Sequence, residues 1–220
     1  MNANDPFIKS LIDINQPMEK NPCRFSTIAL LLQGARKLSG RNFYTGVYEM
    51  DELNEQNFID GTYQSFQFTG LINYLIFLEQ IGTVFRKKDV KIDKNDNAIK
   101  IALRSFSLLP NEKIQAINFL RHSFVHNYGL VCYDKKRPNL PKYKFCLSIE
   151  RNIEIVKLPL VDWDGNFSDK SDETTTEIYI IDLMDLIEGV YSNLKKELDR
   201  DSVGVLPEIA EIKSRFTIIN

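Results

Sequence analysis

The chain has 220 residues, of which 43% are hydrophobic and 26% are charged, and its net charge is −2. This balance is typical of a globular protein and excludes both intrinsic disorder and a generally basic nucleic-acid-binding surface. Its cysteines, Cys23, Cys132 and Cys146, are widely spaced and predict reduced thiols rather than a disulfide framework. Because we find neither a signal-peptide pattern nor an apolar run that would span a bilayer, we expect a cytoplasmic protein without a membrane partner.

The first half of the chain predicts helices. Residues 1–22 contain three prolines without a sustained hydrophobic period, and we expect an extended or partly ordered arm there. Apolar residues at steps of three and four predict helices over about 27–39, 64–88 and 98–109, whereas the segment 44–61 is ambiguous. Pro110 then begins a helix that continues to about Asn127 and ends before Gly129.

The pattern changes from helical to strand-like after Gly129. Short strands are predicted over 130–133, 144–149, 153–158 and 175–181, followed by an amphipathic helix over about 182–198. The sequence therefore predicts a mainly α (α+β) fold, a helical bundle with a small antiparallel β-sheet inserted before its last helix. Residues 23–220 would form one domain, with the β insertion at about 130–181.

The best candidate for chemistry is the run from Arg121 to His126. His122 and His126 are the chain's two histidines, and they lie one turn apart near the end of the predicted 111–127 helix. On a helical wheel Arg121 falls within the apolar arc, where a guanidinium needs a carboxylate, a phosphate or a group of carbonyls as its partner. The structural alternative is that Arg121 pairs with a buried acidic residue such as Asp182 or Asp185, or extends to solvent, and that both histidines are ordinary surface residues.

The pattern R-x-x-x-x-H at the end of a late helix, followed by a glycine, resembles the HEPN superfamily (higher eukaryotes and prokaryotes nucleotide-binding domains). The resemblance covers about residues 64–200 by architecture but only Arg121 to His126 by motif. The residue after the arginine is usually Asn or Asp in that family, whereas here it is His122. Many HEPN proteins are metal-independent endoribonucleases of toxin or antiphage type that act as dimers, and others are non-catalytic binding modules.

The resemblance implies a catalytic pair. His126 would take the proton of a ribose 2′-hydroxyl, Arg121 would bind the phosphate, and either His122 or His126 of a second protomer would act as the acid. An i, i+5 spacing places Arg121 and His126 about 140° apart on an ideal helix. We therefore expect a frayed helix end or a partner chain to bring them together. The alternatives are a non-catalytic dimeric interaction or RNA-binding module, and an unrelated helical scaffold.

Basic residues that would bind an RNA backbone follow the motif. They are interleaved with two tyrosines and comprise Lys135, Lys136, Arg137, Lys142 and Lys144. A solvated hairpin loop is an equally good interpretation of the same residues. The His-x-x-x-His spacing lacks the adjacent glutamate of zinc proteases and a third ligand, so we expect no metal and no cofactor. The expected partners are a second copy of the chain, RNA, and an antitoxin or regulatory protein.

Overall fold

A computed structural model describes residues 5–20, 23–49, 62–127, 129–137 and 139–219. Most of the ambiguous segment 44–61, together with Tyr128 and Pro138, lies outside these ranges. The described helices are α1 (Pro6–Ser10), α2 (Thr27–Leu38), α3 (Thr62–Val84), α4 (Ala98–Phe106), α5 (Asn111–Asn127), α6 (Ile180–Asp199) and α7 (Ile209–Phe216). The described strands are β1 (Glu19–Lys20), β2 (Cys23–Ser26), β3 (Phe85–Lys87), β4 (Val131–Cys132), β5 (Tyr143–Ser148), β6 (Val156–Lys157), β7 (Thr176–Tyr179), β8 (Val203–Val205) and β9 (Thr217–Ile219).

The fold is α+β, as the sequence predicts, but the predicted sheet differs in two respects. The strands after α5 form a four-stranded sheet in the order β4-β5-β7-β6, and it is mixed because β5 and β7 run parallel. The helix that follows this sheet, α6, is not the last one, since α7 follows it. Two further sheets, β1-β2-β9 and β3-β8, are antiparallel and were not predicted.

The residues cluster in two compact units, whereas the sequence predicts one domain over 23–220. Unit 1 comprises the described parts of Met1–Leu108 and Ile187–Asn220, and unit 2 comprises those of Leu109–Leu186. Strand β2 pairs with β9 in unit 1, so that Arg24 lies opposite Ile219. Unit 1 is therefore built from two distant stretches of the chain, and unit 2 from one continuous stretch.

Unit 1 has a helical core. Helix α2 begins where Ser26 caps it by accepting hydrogen bonds from the backbone N–H groups of Ile28 and Ala29, at 3.2 and 3.4 Å. In the described part of the N-terminal segment, Asp5 caps α1 and Pro6 lies in its first turn. This helix buries Ile8, and Leu11, Ile12 and Ile14 after it are also buried. Apolar burial holds the segment in place.

Unit 2 consists of α5, the mixed sheet and the first residues of α6. Helix α5 has the predicted bounds and buries one apolar face, formed by Ile114, Ile117, Leu120 and Phe124. The rings of Phe119 on this helix and Tyr143 on β5 stack with their centroids 4.9 Å apart. The helix that carries the candidate motif is thereby fixed against the sheet.

Helix α3, the most apolar long helix, does not meet the requirements for a membrane span. Among the described helices, none combines the length and the apolar character that crossing a bilayer requires. Its side chains Leu71, Leu75 and Leu78 are instead fully buried within unit 1. They form the predicted i, i+4 and i, i+3 pattern of a core-facing helix.

Candidate active site

Arg121 and His126 meet within one chain. The Nη1 atom of Arg121 lies 2.8 Å from Nε2 of His126, and α5 is continuous through both residues. The expectation that only a frayed helix end or a partner chain could bring them together was therefore wrong. Helical side chains tilt towards the N-terminus, so the His126 ring leans back over the preceding turn, where the long arginine stem reaches it.

This contact determines the role of the Nε2 atom of His126 in the hydrogen bond with Arg121. A guanidinium offers five N–H donors and no acceptor, so Nε2 of His126 must accept from Arg121 with its lone pair. A histidine that accepts at Nε2 is neutral and carries its proton on Nδ1. In this contact Nε2 of His126 therefore has the acceptor role that a base performs.

His122 lies beside the pair. Its ring centroid is 5.3 Å from that of His126 in an edge-to-face arrangement, as expected for residues one turn apart. Both histidines are solvent-exposed, whereas Arg121 is half-buried. The structure thus brings together all three predicted catalytic residues at an accessible position near the end of α5.

The backbone around the motif is held by local hydrogen bonds. The hydroxyl of Ser123 is buried and donates to the carbonyls of Phe119 and Leu120, each at 3.1 Å. The backbone N–H of Gly129 donates to the Ser123 carbonyl at 3.2 Å, which satisfies one carbonyl of the last turn. Ser123 therefore stabilises the turn that carries both histidines.

The acidic residues considered as partners of Arg121 bind another arginine. Nη1 of Arg151 lies 3.1 Å from a carboxylate oxygen of Asp182 and 2.7 Å from one of Asp185. The hydrogen bond to Asp185 is the main cause that raises the pKa of Arg151 above its ordinary value. Asp182 also accepts from the backbone N–H of Asn152 at 2.8 Å, so these groups anchor the segment between β5 and β6.

The predicted RNA-binding residues fall into two groups. Lys135, Lys136 and Arg137 are exposed, and Arg137 forms an ion pair of 2.7 Å with Asp134, whose pKa this hydrogen bond lowers. The two lysines of the second group, Lys142 and Lys144, are half-buried and hydrogen-bonded within unit 2. The exposed group is the one with the accessibility that phosphate binding requires.

Lys142 and Lys144 hold the loop between β6 and β7. Nζ of Lys142 donates to the Asp164 carbonyl at 2.6 Å. Nζ of Lys144 donates to the carbonyls of Asp169 and Ser171 at 3.1 and 3.0 Å. The pKa of the Asp169 carboxyl is lowered, first by the hydroxyl of Thr174 and further by Lys144. These lysines stabilise the structure of unit 2, whatever else they bind.

Unit 2 also contains a cavity of about 680 Å³ that the sequence did not predict. Its wall includes Glu112 on the first turn of α5, Tyr143 at the start of β5, and Asp162 and Trp163 between β6 and β7. These residues come from separate parts of the chain, so no local spacing indicates them. Glu112 and Arg121 are about 14 Å apart along the helix axis, so the cavity is distinct from the motif.

Clusters of three or more His, Cys, Asp or Glu side chains that would hold a metal ion do not occur within the described ranges. Comparison of the chain with protein-family models, with curated proteins and with solved structures finds no match.

Proposed function

We propose that the protein is a HEPN-like, metal-independent endoribonuclease. The observation that carries this proposal is the contact of 2.8 Å between Arg121 and His126 on an accessible stretch of α5. A guanidinium that binds phosphate and an imidazole that accepts a proton are the two groups that cleavage by a ribose 2′-hydroxyl needs. The nearby His122 supplies a second titratable ring.

The reaction begins at the 2′-hydroxyl next to the scissile phosphate. Nε2 of His126 takes the hydroxyl proton, and the 2′-oxygen attacks phosphorus. The bond from phosphorus to the 5′-oxygen breaks, which leaves a 2′,3′-cyclic phosphate, and the leaving oxygen takes a proton from an acid. That acid is protonated His122, or His126 of a second protomer. Arg121 binds the phosphate oxygens and stabilises the charge that develops on them.

The resting contact has a consequence for this mechanism. The lone pair of His126 that would accept the proton is the one that accepts from Arg121 in the free protein. A bound phosphodiester competes for the guanidinium because a charged acceptor makes a stronger hydrogen bond than a neutral imidazole. Substrate binding would thus free the base at the moment it is needed.

The proposal includes the partners and the setting. Two protomers would face one RNA, with the exposed Lys135, Lys136 and Arg137 along its backbone. An endoribonuclease of toxin or antiphage type acts on cytoplasmic RNA and needs an antitoxin or another regulatory protein to restrain it. We include that regulator and a cytoplasmic location in the proposal.

RNA cleavage in excess EDTA tests the function. We expect the parent protein to produce cyclic phosphate ends, and His126→Gln and Arg121→Ala to lose activity by about 10²-fold or more. His122→Gln distinguishes the two candidate acids, since it abolishes cleavage only if His122 donates the proton. Lys94→Met removes an exposed charge that the proposal does not place on the RNA, and as the control it should change the rate only modestly.

Three results would contradict the proposal. Loss of cleavage in EDTA would remove metal independence, and equal cleavage by the parent, His126→Gln and Arg121→Ala would indicate a contaminating nuclease. A folded dimer that binds RNA but cleaves none of a broad set would instead support the non-catalytic module. Nitrogen NMR of the imidazoles checks the starting state independently, because His126 should carry its proton on Nδ1.

A further inference from the structure

The cavity of unit 2 has an excess of negative charge. Glu112 and Asp162 line it, both are exposed, and neither forms an ion pair with any residue in the described part of the chain. Lys142 also lines it, but its ammonium lies 2.6 Å from the Asp164 carbonyl and 5.4 Å from the centroid of the Tyr133 ring. Two carboxylates and one ammonium therefore give the wall a net charge of −1, which favours a cationic ligand.

Much of the remaining wall is apolar. It contains two leucines, two prolines and two aromatic residues, namely Leu140, Leu158, Pro141, Pro159, Tyr143 and Trp163. The indole N–H of Trp163 donates to the Asn166 carbonyl at 3.1 Å and is already satisfied within the loop. Burial, followed by the charge of Asp162, raises the pKa of Tyr143, so its hydroxyl keeps its proton at neutral pH. Apolar surface thus lies beside the two carboxylates.

One buried hydroxyl in the wall also lacks a partner. Thr176 is 1% exposed, and its Oγ1 has no hydrogen bond to any residue that the structure describes. A buried hydroxyl without a hydrogen-bond partner is destabilising, because it has lost its water and gained nothing in exchange. An N–H donor held next to the Thr176 side chain is the kind of group that would satisfy it.

We propose that this cavity binds an aliphatic diamine or polyamine. Ammonium groups would pair with Glu112 and Asp162, and the methylene chain between them would cover the leucine, proline and aromatic side chains. A volume of about 680 Å³ is within the usual range of small-molecule sites. Aromatic rings add affinity for cations, whereas the two carboxylates repel an anionic ligand. The inference is independent of the proposed ribonuclease.

Spermidine is the probe, and Trp163 is the reporter. Trp163 is the chain's single tryptophan, so its fluorescence reports on the cavity wall alone. We expect saturable one-to-one binding of spermidine to the full chain at about 0.15 M salt. Tryptophan fluorescence and calorimetry measure this binding. Glu112→Gln and Asp162→Asn should each weaken binding by about tenfold, because each removes one charge-assisted hydrogen bond.

The controls remove a carboxylate elsewhere in unit 2. Glu150→Gln and Asp172→Asn change exposed acidic residues outside the cavity wall by the same charge, and should leave spermidine affinity within about twofold. Absence of saturable binding would overturn the proposal, as would equal weakening by the cavity variants and the controls, which is the mark of attraction to the whole surface. Tighter binding of adenosine monophosphate than of spermidine at this cavity would also overturn it, since the site would then select anions.

Discussion

The guanidinium of Arg36 forms two parallel hydrogen bonds with the carboxylate of Glu188, at 2.8 and 2.7 Å, inside unit 1. Arg36 is 2% exposed, and Nη1 donates to the carbonyls of Phe43 and Tyr44 at 3.0 and 2.8 Å. Tyr74 donates its hydroxyl to the same carboxylate at 2.6 Å. The pair therefore joins α2, α3, α6 and the segment after α2 in one buried network.

We expect Glu188→Gln to lower the free energy of unfolding by about 3–5 kcal/mol, because it leaves a buried guanidinium without a counter-charge. Urea denaturation measures the change. The double variant Arg36→Met with Glu188→Leu should recover much of the loss, since it removes both charges. Glu211→Gln is the control: its ion pair with Arg215 is exposed, and its loss should cost less than about 1 kcal/mol. Equal losses of stability in Glu188→Gln and Glu211→Gln would contradict the role of Glu188 as the counter-charge of the buried Arg36.

Stability should fall at alkaline pH through two buried tyrosines. Burial raises the pKa of Tyr191 to about 12, and burial together with Glu188 raises that of Tyr74 well above its ordinary value. Above about pH 10 the unfolded chain releases these protons while the folded chain keeps them. The contribution of the two protonated tyrosines to the free energy of unfolding is thus complete below about pH 10. For Tyr191 it is lost as the pH rises to about 12.

Between about pH 10 and its pKa in the folded protein, each tyrosine should lower the free energy of unfolding by about 1.4 kcal/mol per pH unit. Urea unfolding at a series of pH values measures it. Tyr191→Phe should reduce the slope, although it also removes the hydrogen bond of 3.0 Å to the Ile12 carbonyl and so lowers stability at neutral pH. Tyr44→Phe, at a residue 65% exposed, is the control and should leave the slope unchanged. If Tyr191→Phe left this dependence of stability on pH unchanged, Tyr191 would not contribute to it.

Gly82→Ala should destabilise unit 1 by about 2 kcal/mol or more, although alanine favours a helix. A Cβ at this position of α3 would overlap the Ala98 carbonyl at the start of α4. Thermal unfolding measures the effect. The matched control is Gly189→Ala in α6, where a Cβ meets no described atom within 4 Å, and there we expect a gain of about 0.5–1 kcal/mol. If both substitutions changed the stability in the same direction, the close approach of Gly82 to the Ala98 carbonyl would be refuted.

Lys144→Met should loosen the loop between β6 and β7. The ammonium donates to the carbonyls of Asp169 and Ser171, and its loss should cost about 1–2 kcal/mol locally. Lys170 is exposed in this loop, so tryptic cleavage after it should become about tenfold faster. Lys135→Met, at an exposed position, is the control. An unchanged rate at Lys170 in Lys144→Met would show that the lysine does not anchor the loop.

Local patterns predicted the long elements well. Pro110 and Gly129 placed α5 correctly, and the i, i+3 and i, i+4 spacing of apolar residues predicted α2 over about 27–39. The strand β3 was missed because Arg86 and Lys87 resemble the basic last turn of a helix, whereas they pair with residues 203–204. Its partner lies more than a hundred residues away, and hydrophobic periodicity carries no information on such pairing.

Two missed helices left signals in the sequence. Asp5 before Pro6 is a helix start that the surrounding prolines obscured. In α7, Ile209, Ile212 and Phe216 have helical spacing, and the latter two are buried. The candidate site was found from its motif, but a helical wheel omits side-chain length, so the contact of Arg121 with His126 was not foreseen. The cavity, formed by distant segments, could not be predicted from the sequence.

The pairing of β2 with β9 constrains the order in which the protein folds during synthesis. Unit 2 is continuous in sequence, so all of its residues have been translated once Leu186 is added. The sheet of unit 1 cannot be completed until Thr217–Ile219 have been added, because these residues form β9, with which β2 pairs. Domains fold as units while the chain emerges from the ribosome. The part that carries Arg121 and His126 therefore has all of its residues before Thr217–Ile219 are added.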